Sequence, residues 1–341
     1  MAQTYGDFEA IVVDDCATDG SGRIAESIAA GDDRIRVIPQ PENMGVSVAR
    51  NTGMKEASGE YILFWDPDDR YEHKLLEIVH DSLMLANGDR SIAKKADPNI
   101  PDVDILYYSL VEDYYDVAGN IKSSYEKTCP TGEYYTHEDI SKRVNELEQK
   151  TMLGYPWNKA YRLSYLREND VSFERVTHVE DILFNIAAVE QARHIVVLQD
   201  VLYHYRNMGQ SRLTGKYLAD YLELQKLRIT RFLELYERWD AVDDSVLSNV
   251  AGMYFRSLFS AVEREIAAGK DRASIEEMLT AEYDGELYLR LKDYLKGGKS
   301  VRLLYKPLVD KNSDAAIGRA RLVSFVKKHF PILFAGLKQN R

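Results

Sequence analysis

Glu60-Tyr61-Ile62-Leu63-Phe64-Trp65-Asp66-Pro67-Asp68-Asp69 decides how the chain is read. Five large apolar residues, Tyr61 to Trp65, precede three carboxylates within four positions. An uninterrupted apolar run of that length reads as a buried strand. Acids at its carboxyl end lie where open α/β sheets place their ligands. The same letters also have a plainer reading. Asp-Pro-Asp-Asp ahead of a helical pattern makes a turn and an N-cap. Upstream, Glu9-Ala10-Ile11-Val12-Val13-Asp14-Asp15 repeats the arrangement, a short apolar run ending in paired acids. Carboxyl ends of neighbouring parallel strands share a rim, which would set Asp14, Asp15, Asp66, Asp68 and Asp69 around one cleft. So many carboxylates together are unfavourable without a cation. A hard ion with oxygen ligands, Mg²⁺ or Mn²⁺, suits them, and Mg²⁺ completes its shell with phosphate and water. The expected ligand is a metal-bound phosphate compound.

Outward from these runs, strand and helix patterns alternate. Ile24, Ala25 and Ile28 mark a short helix, Ile35 to Ile38 a strand, and Val46 to Ala57 a helix closed by Ser58-Gly59. Short-spaced alternation predicts parallel pairing with right-handed crossovers. Lys74 to Ala86 has the spacing of an amphipathic helix. Val103 to Tyr108 reads as a strand, and the residues flanking Gly119-Asn120 as a hairpin. Thr136 caps a helix running to about Gln149, and Trp157 to Leu166 reads as a short helix. Val179 to Ala192 is helical in pattern and His194 to Leu198 is a strand. Beyond about Ser211 only long amphipathic helices follow, one of them opened by the capping-box pattern Ser274-Ile275-Glu276-Glu277. The expected boundary lies near residue 213, with an α/β domain over 1–212 and a helical domain over 213–341.

Composition narrows the function. The 341 residues carry a net charge of −11, which argues against broad nucleic-acid binding. Two cysteines, Cys16 and Cys129, give neither a disulfide framework nor metal spacing and point to a reducing cytoplasm. No run reaches the length of a membrane span. An acidic chain nevertheless ends in a basic tail, with six Lys or Arg residues and no acid from Ala315 to Arg341. Mixed with Leu322, Phe325, Phe330 and Phe334, these residues suit peripheral contact with an anionic membrane surface at its inner face. They suit equally a tail helix packed on the helical domain.

Three motifs, taken together, resemble family 2 glycosyltransferases of the GT-A fold. They are Val12-Val13-Asp14-Asp15-Cys16-Ala17-Thr18-Asp19-Gly20-Ser21, then Asn43-Met44-Gly45 through Arg50-Asn51-Thr52-Gly53, then Gly59 to Asp69. Their order and spacing match the bacterial, polysaccharide-type members, from about Gln3 to about Ser211. The resemblance implies a Rossmann-like, mostly parallel sheet flanked by helices, an α/β class, joined to the all-helical C-terminal region. It implies that Asp15, with Asp14 beside it, receives the uracil of a UDP-sugar, and that Arg50 helps hold nucleotide or donor sugar. Asp66, Asp68 and Asp69 correspond to the DXD-type motif, with Asp68 and Asp69 on the metal. Trp157 and Lys159 match a Trp-x-Lys element near the acceptor side. Glu180-Asp181 matches the motif opening a helix whose Asp is the catalytic base. The Tyr203-His204-Tyr205-Arg206 to Gln210-Ser211 segment matches the end of the catalytic domain.

The expected reaction is metal-assisted single displacement with inversion, from a nucleotide-sugar donor to a glycan or lipid-linked acceptor hydroxyl. No nucleophilic Ser or Cys is needed, so Cys16 reads as a buried small residue. The resemblance also implies one further strand and helix ahead of Met1, whose lack would leave backbone groups unpaired. A start downstream of the true one, or a truncated gene, is the expectation drawn from that. Two rivals stand beside this reading, a truncated, inactive binding protein and a nucleotidyltransferase. Residue by residue there are plainer alternatives too. Arg50 serves equally as an ordinary salt-bridge partner, Glu180-Asp181 as helix-dipole acids, Trp157 as core and Lys159 as a surface charge.

Overall fold

The computed structural model describes residues 2–88, 91–116, 118–208 and 217–329. The chain divides into two compact units, Met1–Thr214 and Gly215–Arg341.

The first unit opens with β1 (Ala10–Asp14), α1 (Ser21–Ala29) and β2 (Ile35–Pro39). β1 and β2 pair in parallel as a two-stranded sheet, with Ala10 opposite Ile35 and Asp14 opposite Pro39. Helix α2 (Val46–Glu56) follows and lies against β1, where Gly53 faces the Val13 side chain. The remaining strands form a seven-stranded sheet. They are β3 (Tyr61–Ile62), β4 (Arg70–Tyr71), β5 (Ile105–Tyr115), β6 (Ile121–Lys127), β7 (Gly132–Tyr134), β8 (Lys159–Arg162) and β9 (Ile195–Asn207). Its path runs β3-β8-β5-β9-β4, with β6 added on β5 and β7 on β9. Only β5 and β9 pair in parallel, so this sheet is mixed rather than mostly parallel. β1 and β3 belong to different sheets, so the two acidic clusters do not end neighbouring strands.

Helices α3 (Leu75–Asn87), α4 (Ile92–Ala96), α5 (His137–Gln149), α6 (Leu163–Glu168) and α7 (Glu180–Glu190) complete this unit. Thr136 caps α5 as its sequence predicts, its hydroxyl accepting from the Asp139 amide. Two segments differ from expectation. Of the apolar run Tyr61 to Trp65, only Tyr61 and Ile62 join a ladder, pairing antiparallel with β8. Phe64 leaves the ladder to enter a buried aromatic cluster with Tyr161, Phe173 and Phe184, in which the last two rings stack at 3.9 Å. The Trp157 to Leu166 segment is not one helix. Its first half is β8, drawn into extended form by partners on both edges, β3 and β5.

Side chains bind the β1–β2 layer to the rest of this unit. Asn51 on α2 exchanges two hydrogen bonds with the Phe173 backbone, Nδ2 to its carbonyl at 2.8 Å and its amide to Oδ1 at 2.9 Å. Arg167 donates to the Met54, Lys55 and Ala57 carbonyls at the end of α2. These are carbonyls that a helix end leaves without intrahelical partners.

The second unit is helical throughout its described residues. It comprises α8 (Tyr221–Arg238), α9 (Asp244–Ala267), α10 (Arg272–Tyr283), α11 (Glu286–Leu291), α12 (Lys299–Val309) and α13 (Ser313–His329). α9 is its axis and buries Val250, Tyr254, Phe255, Leu258 and Val262. Asp271, not Ser274, caps α10, its carboxylate accepting from the Ser274 amide. A buried Glu282 receives Lys226 at 2.8 Å and the Tyr254 hydroxyl at 2.9 Å, which supplies partners for a charge inside the bundle. No helix among the described residues is long and apolar enough to cross a membrane. Leu322 and Phe325 on α13 are exposed. The tail from residue 330, and the Gln210-Ser211 pair, lie outside the described residues.

Candidate active site

The five N-terminal acids are held in different ways. Asp14 shapes the turn from β1 into α1, its Oδ1 accepting from the Ala17 amide at 2.9 Å. A Cβ at Gly22 would come within 2.1 Å of Asp14 Oδ2, so only glycine fits there. Asp15 accepts from the Met44 and Gly45 amides, both at 2.8 Å, and so ties β1 to the start of α2. Cys16 is exposed, not buried, and has φ 60. That left-handed backbone favours glycine over any residue with a Cβ.

Arg50, on the second turn of α2, joins two of the remaining acids. Its Nη2 lies 3.0 Å from Asp66 Oδ1, and its Nη1 pairs with Asp181 Oδ1 at the first turn of α7. The guanidinium is 12% exposed and stands over the Phe173 ring at 5.2 Å. Burial works against its charge, but Asp181 and Asp66 outweigh that and raise its pKa. Burial also pushes the Asp181 carboxyl up to about 6; Arg50 opposes the rise, while Glu180 and Asp66 add to it. The aromatic cluster of Phe64, Phe173 and Phe184 lies behind this bridge. It fixes the segment carrying Asp66 and the helix carrying Asp181 against one another.

Asp69 is buried beside it. Its Oδ2 accepts from the Tyr203 hydroxyl at 2.7 Å and its Oδ1 from the Arg206 amide at 2.8 Å, both on β9. Burial pushes Asp69 up to about 6, against the lowering by those two donors and with help from Asp68 and Asp66. Asp68 is exposed. Among the described residues no group of three or more His, Cys, Asp or Glu side chains is arranged to hold a metal ion. Both Asp69 oxygens already have partners, whereas the Asp68 side chain faces outward. Glu180 keeps Oε2 buried without a hydrogen-bond partner, a costly state that a bound hydroxyl would relieve.

Trp157 and Lys159 are both buried and do not themselves line a surface. The Lys159 ammonium lies 3.2 Å from the Met152 carbonyl and 2.7 Å from Asn158 Oδ1, and also meets the Tyr155 carbonyl. Burial pulls its pKa well down, with Asp181 and Glu148 opposing. Both residues brace the 152–158 loop from beneath. Asn185 was not singled out from the sequence. Its Nδ2 donates to the Asp181 carbonyl at 2.7 Å and the Gly154 carbonyl at 3.2 Å, joining that loop to the first turn of α7. The available signal was a lone amide four residues beyond Asp181 in the otherwise apolar Ile182-Leu183-Phe184-Asn185-Ile186.

Residues 1–84 match the family model described as glycosyl transferase family 2. The putative glycosyltransferase EpsH of Bacillus subtilis (strain 168) is 30% identical over 207 residues, covering 60% of this chain and 54% of that protein. The poly(ribitol-phosphate) beta-N-acetylglucosaminyltransferase TarS of Staphylococcus aureus is 26% identical over 254 residues, 73% of this chain and 39% of the relative. The chain spans about half the length of the first curated relatives it matches, 54% and 56%. In three dimensions it resembles residues 1-349 of S. aureus TarS with a TM-score of 0.60 at 20% identity, over 94% of this chain and 83% of the other. The same TarS fragment in complex with UDP gives 0.61 at 20% identity, over the same shares of both chains. Fold and motifs are thus those of the GT-A class. Within that class residues 1–84 are similar to the glycosyl transferase family 2, and bacterial glycosyltransferases are among the relatives of the wider chain.

Proposed function

We propose that the chain transfers a sugar from a nucleotide-diphosphate sugar, a UDP-sugar, to a hydroxyl of a glycan or lipid-linked acceptor. The observation that carries this reading is the Arg50 bridge, which sets Asp181 beside Asp66 in one partly buried site. The solved TarS complexes with UDP and with UDP-GlcNAc support the choice of donor. Asp181 is the base. It accepts the proton of the acceptor hydroxyl as that oxygen bonds to the anomeric carbon. The bond from that carbon to the diphosphate oxygen breaks in the same step, UDP departs, and the anomeric configuration inverts. Burial of Asp181 raises its proton affinity, which suits a base, while Arg50 keeps it ionised near neutral pH. Mg²⁺ or Mn²⁺ would be held by Asp68 together with donor phosphate, since such ions need only one or two protein carboxylates. Its contribution would be to neutralise charge on the departing diphosphate. Asp69, braced by Tyr203 and Arg206, fixes the loop that presents Asp68. The unpartnered Glu180 oxygen accepts from a hydroxyl of the bound sugars.

A panel of UDP-sugars with Mn²⁺, followed by UDP release, tests the proposal. One donor is expected to stand out, and Asp181→Asn is expected to keep UDP binding while transfer falls at least about a hundredfold. Normal turnover by Asp181→Asn would remove Asp181 as the base.

A further inference from the structure

We infer that an aromatic face on β9, β5 and β6, topped by Tyr155, is the subsite that stacks the acceptor's pyranose ring. The inference rests on the transferase reading above and assigns it a place for the acceptor.

Strand register defines the face. On β9, Tyr203 and Tyr205 alternate with His204 and Arg206. The pairing sets Leu110 opposite Tyr203 and Glu112 opposite Tyr205 on β5, and Tyr125 and Lys127 opposite Glu112 and Leu110 on β6. Directly opposed residues share a face of the sheet. One face therefore carries Tyr203, Tyr205, Glu112, Tyr125 and Lys127. The other carries His204, Asp113 and Ser124, joined by their own hydrogen bonds. Over the first face the 152–158 loop lays two rings. Trp157 stacks with Tyr203 at 4.1 Å and 11°, and Tyr155 stacks with Trp157 at 4.4 Å and 15°. Tyr205 lies 6.1 Å from Tyr155. Trp157 and Tyr203 are buried, whereas Tyr155 and Tyr205 are half-buried.

The edge of the aromatic surface is polar. Lys127 pairs with Glu112 at 2.5 Å and donates to the Thr151 hydroxyl at 2.6 Å, and the Tyr155 hydroxyl lies 3.4 Å from Glu112. A pyranose has the matching form, with C–H bonds on its faces and hydroxyls around its rim. Aromatic faces are electron-rich and attract such polarised C–H edges. The few polar groups beside them fix orientation.

Position is the second argument. One end of the stack is the Tyr203 hydroxyl on Asp69, and the loop carrying Tyr155 is tied through Gly154 and Asn185 to Asp181. The face thus adjoins both the acidic cluster and the base. An acceptor hydroxyl delivered to Asp181 needs its ring held nearby, and this face is tied to the Asp181 backbone through Asn185.

The test uses the full chain with UDP and, in turn, methyl β-glucoside, methyl β-galactoside and methyl N-acetyl-β-glucosaminide, read by saturation-transfer NMR. At least one glycoside should take up saturation on its ring C–H protons. Tyr155→Ala and Tyr205→Ala should cut that signal at least about fivefold while UDP affinity changes less than about twofold. Tyr155→Phe, which keeps the ring, should retain it. UDP affinity and the thermal midpoint show that each variant is folded. An equal signal in Tyr155→Ala, or none from any glycoside in a chain that binds UDP, overturns the subsite alone. A wild-type chain that binds no UDP overturns the transferase reading, and the subsite with it.

Discussion

Cys16 shows how much one backbone angle explains. It directly follows Asp14 and Asp15 with φ 60, where a Cβ crowds the following carbonyl. Cys16→Gly is expected to stabilise the chain by about 0.5–1 kcal/mol, the left-handed penalty less the entropy glycine loses on folding. A denaturation midpoint that falls on substitution would mean that the thiol makes a contact worth more than the strain. The sequence marked these acids as important and did not show what holds them in place. Asp14 accepts the Ala17 amide in the turn after β1, and Asp15 accepts the Met44 and Gly45 amides ahead of α2. Type and spacing of residues reveal that acids cluster. They do not reveal which neighbouring amides fold back onto them, because that depends on the loop path. Cys16 was misread for the same reason, since a small apolar residue beside a strand end looks buried until the turn is known.

At the scale of elements, α2 links the two sheets of the first unit, and Asn51 is its fastening. Removing the side chain by Asn51→Ala leaves the Phe173 amide and carbonyl without partners in a half-buried place. The expected loss is about 2 kcal/mol, two hydrogen bonds with part of the desolvation cost. Because Arg50 is the preceding residue, UDP affinity should fall with it. Thermal unfolding and UDP titration of one variant check both, and an unchanged midpoint would show that the clamp contributes nothing. Helices were the most legible elements. The periodic apolar faces of α3, α5, α8 and α9 and the Thr136 cap stand where the pattern puts them. Strands were less so. Tyr61 to Trp65 and Trp157 to Leu166 each mix strand and non-strand, because edge partners and an aromatic cluster settle them, and these partners lie far away in sequence.

For the molecule as a whole, two raised carboxyls set opposite trends. Asp69 and Asp181 hold their protons up to about pH 6 in the fold, whereas a free Asp releases its own near pH 3.9. Between those values the folded chain binds more protons than the unfolded one, so the stability these two groups contribute falls as pH rises through that window. Transfer moves the other way, because Asp181 must be ionised to act. kcat/KM is expected to rise through about pH 6, and Arg50→Met to move that limb higher. A rate profile flat down to pH 4 would contradict a buried base. The GT-A class and its helical companion could be read from motif order and helix periodicity. The mixed sheet could not, because strand direction leaves no mark on composition.

The Asp15 and Asp69 contacts have a consequence for how such a site can change. Three of their four partners are main-chain amides, at Met44, Gly45 and Arg206. An amide is present whatever side chain its residue bears, proline excepted. The acids are therefore fixed points, while the identities of Met44 and Arg206 are open to drift. Related chains can diversify what surrounds the donor without dismantling the frame that holds it.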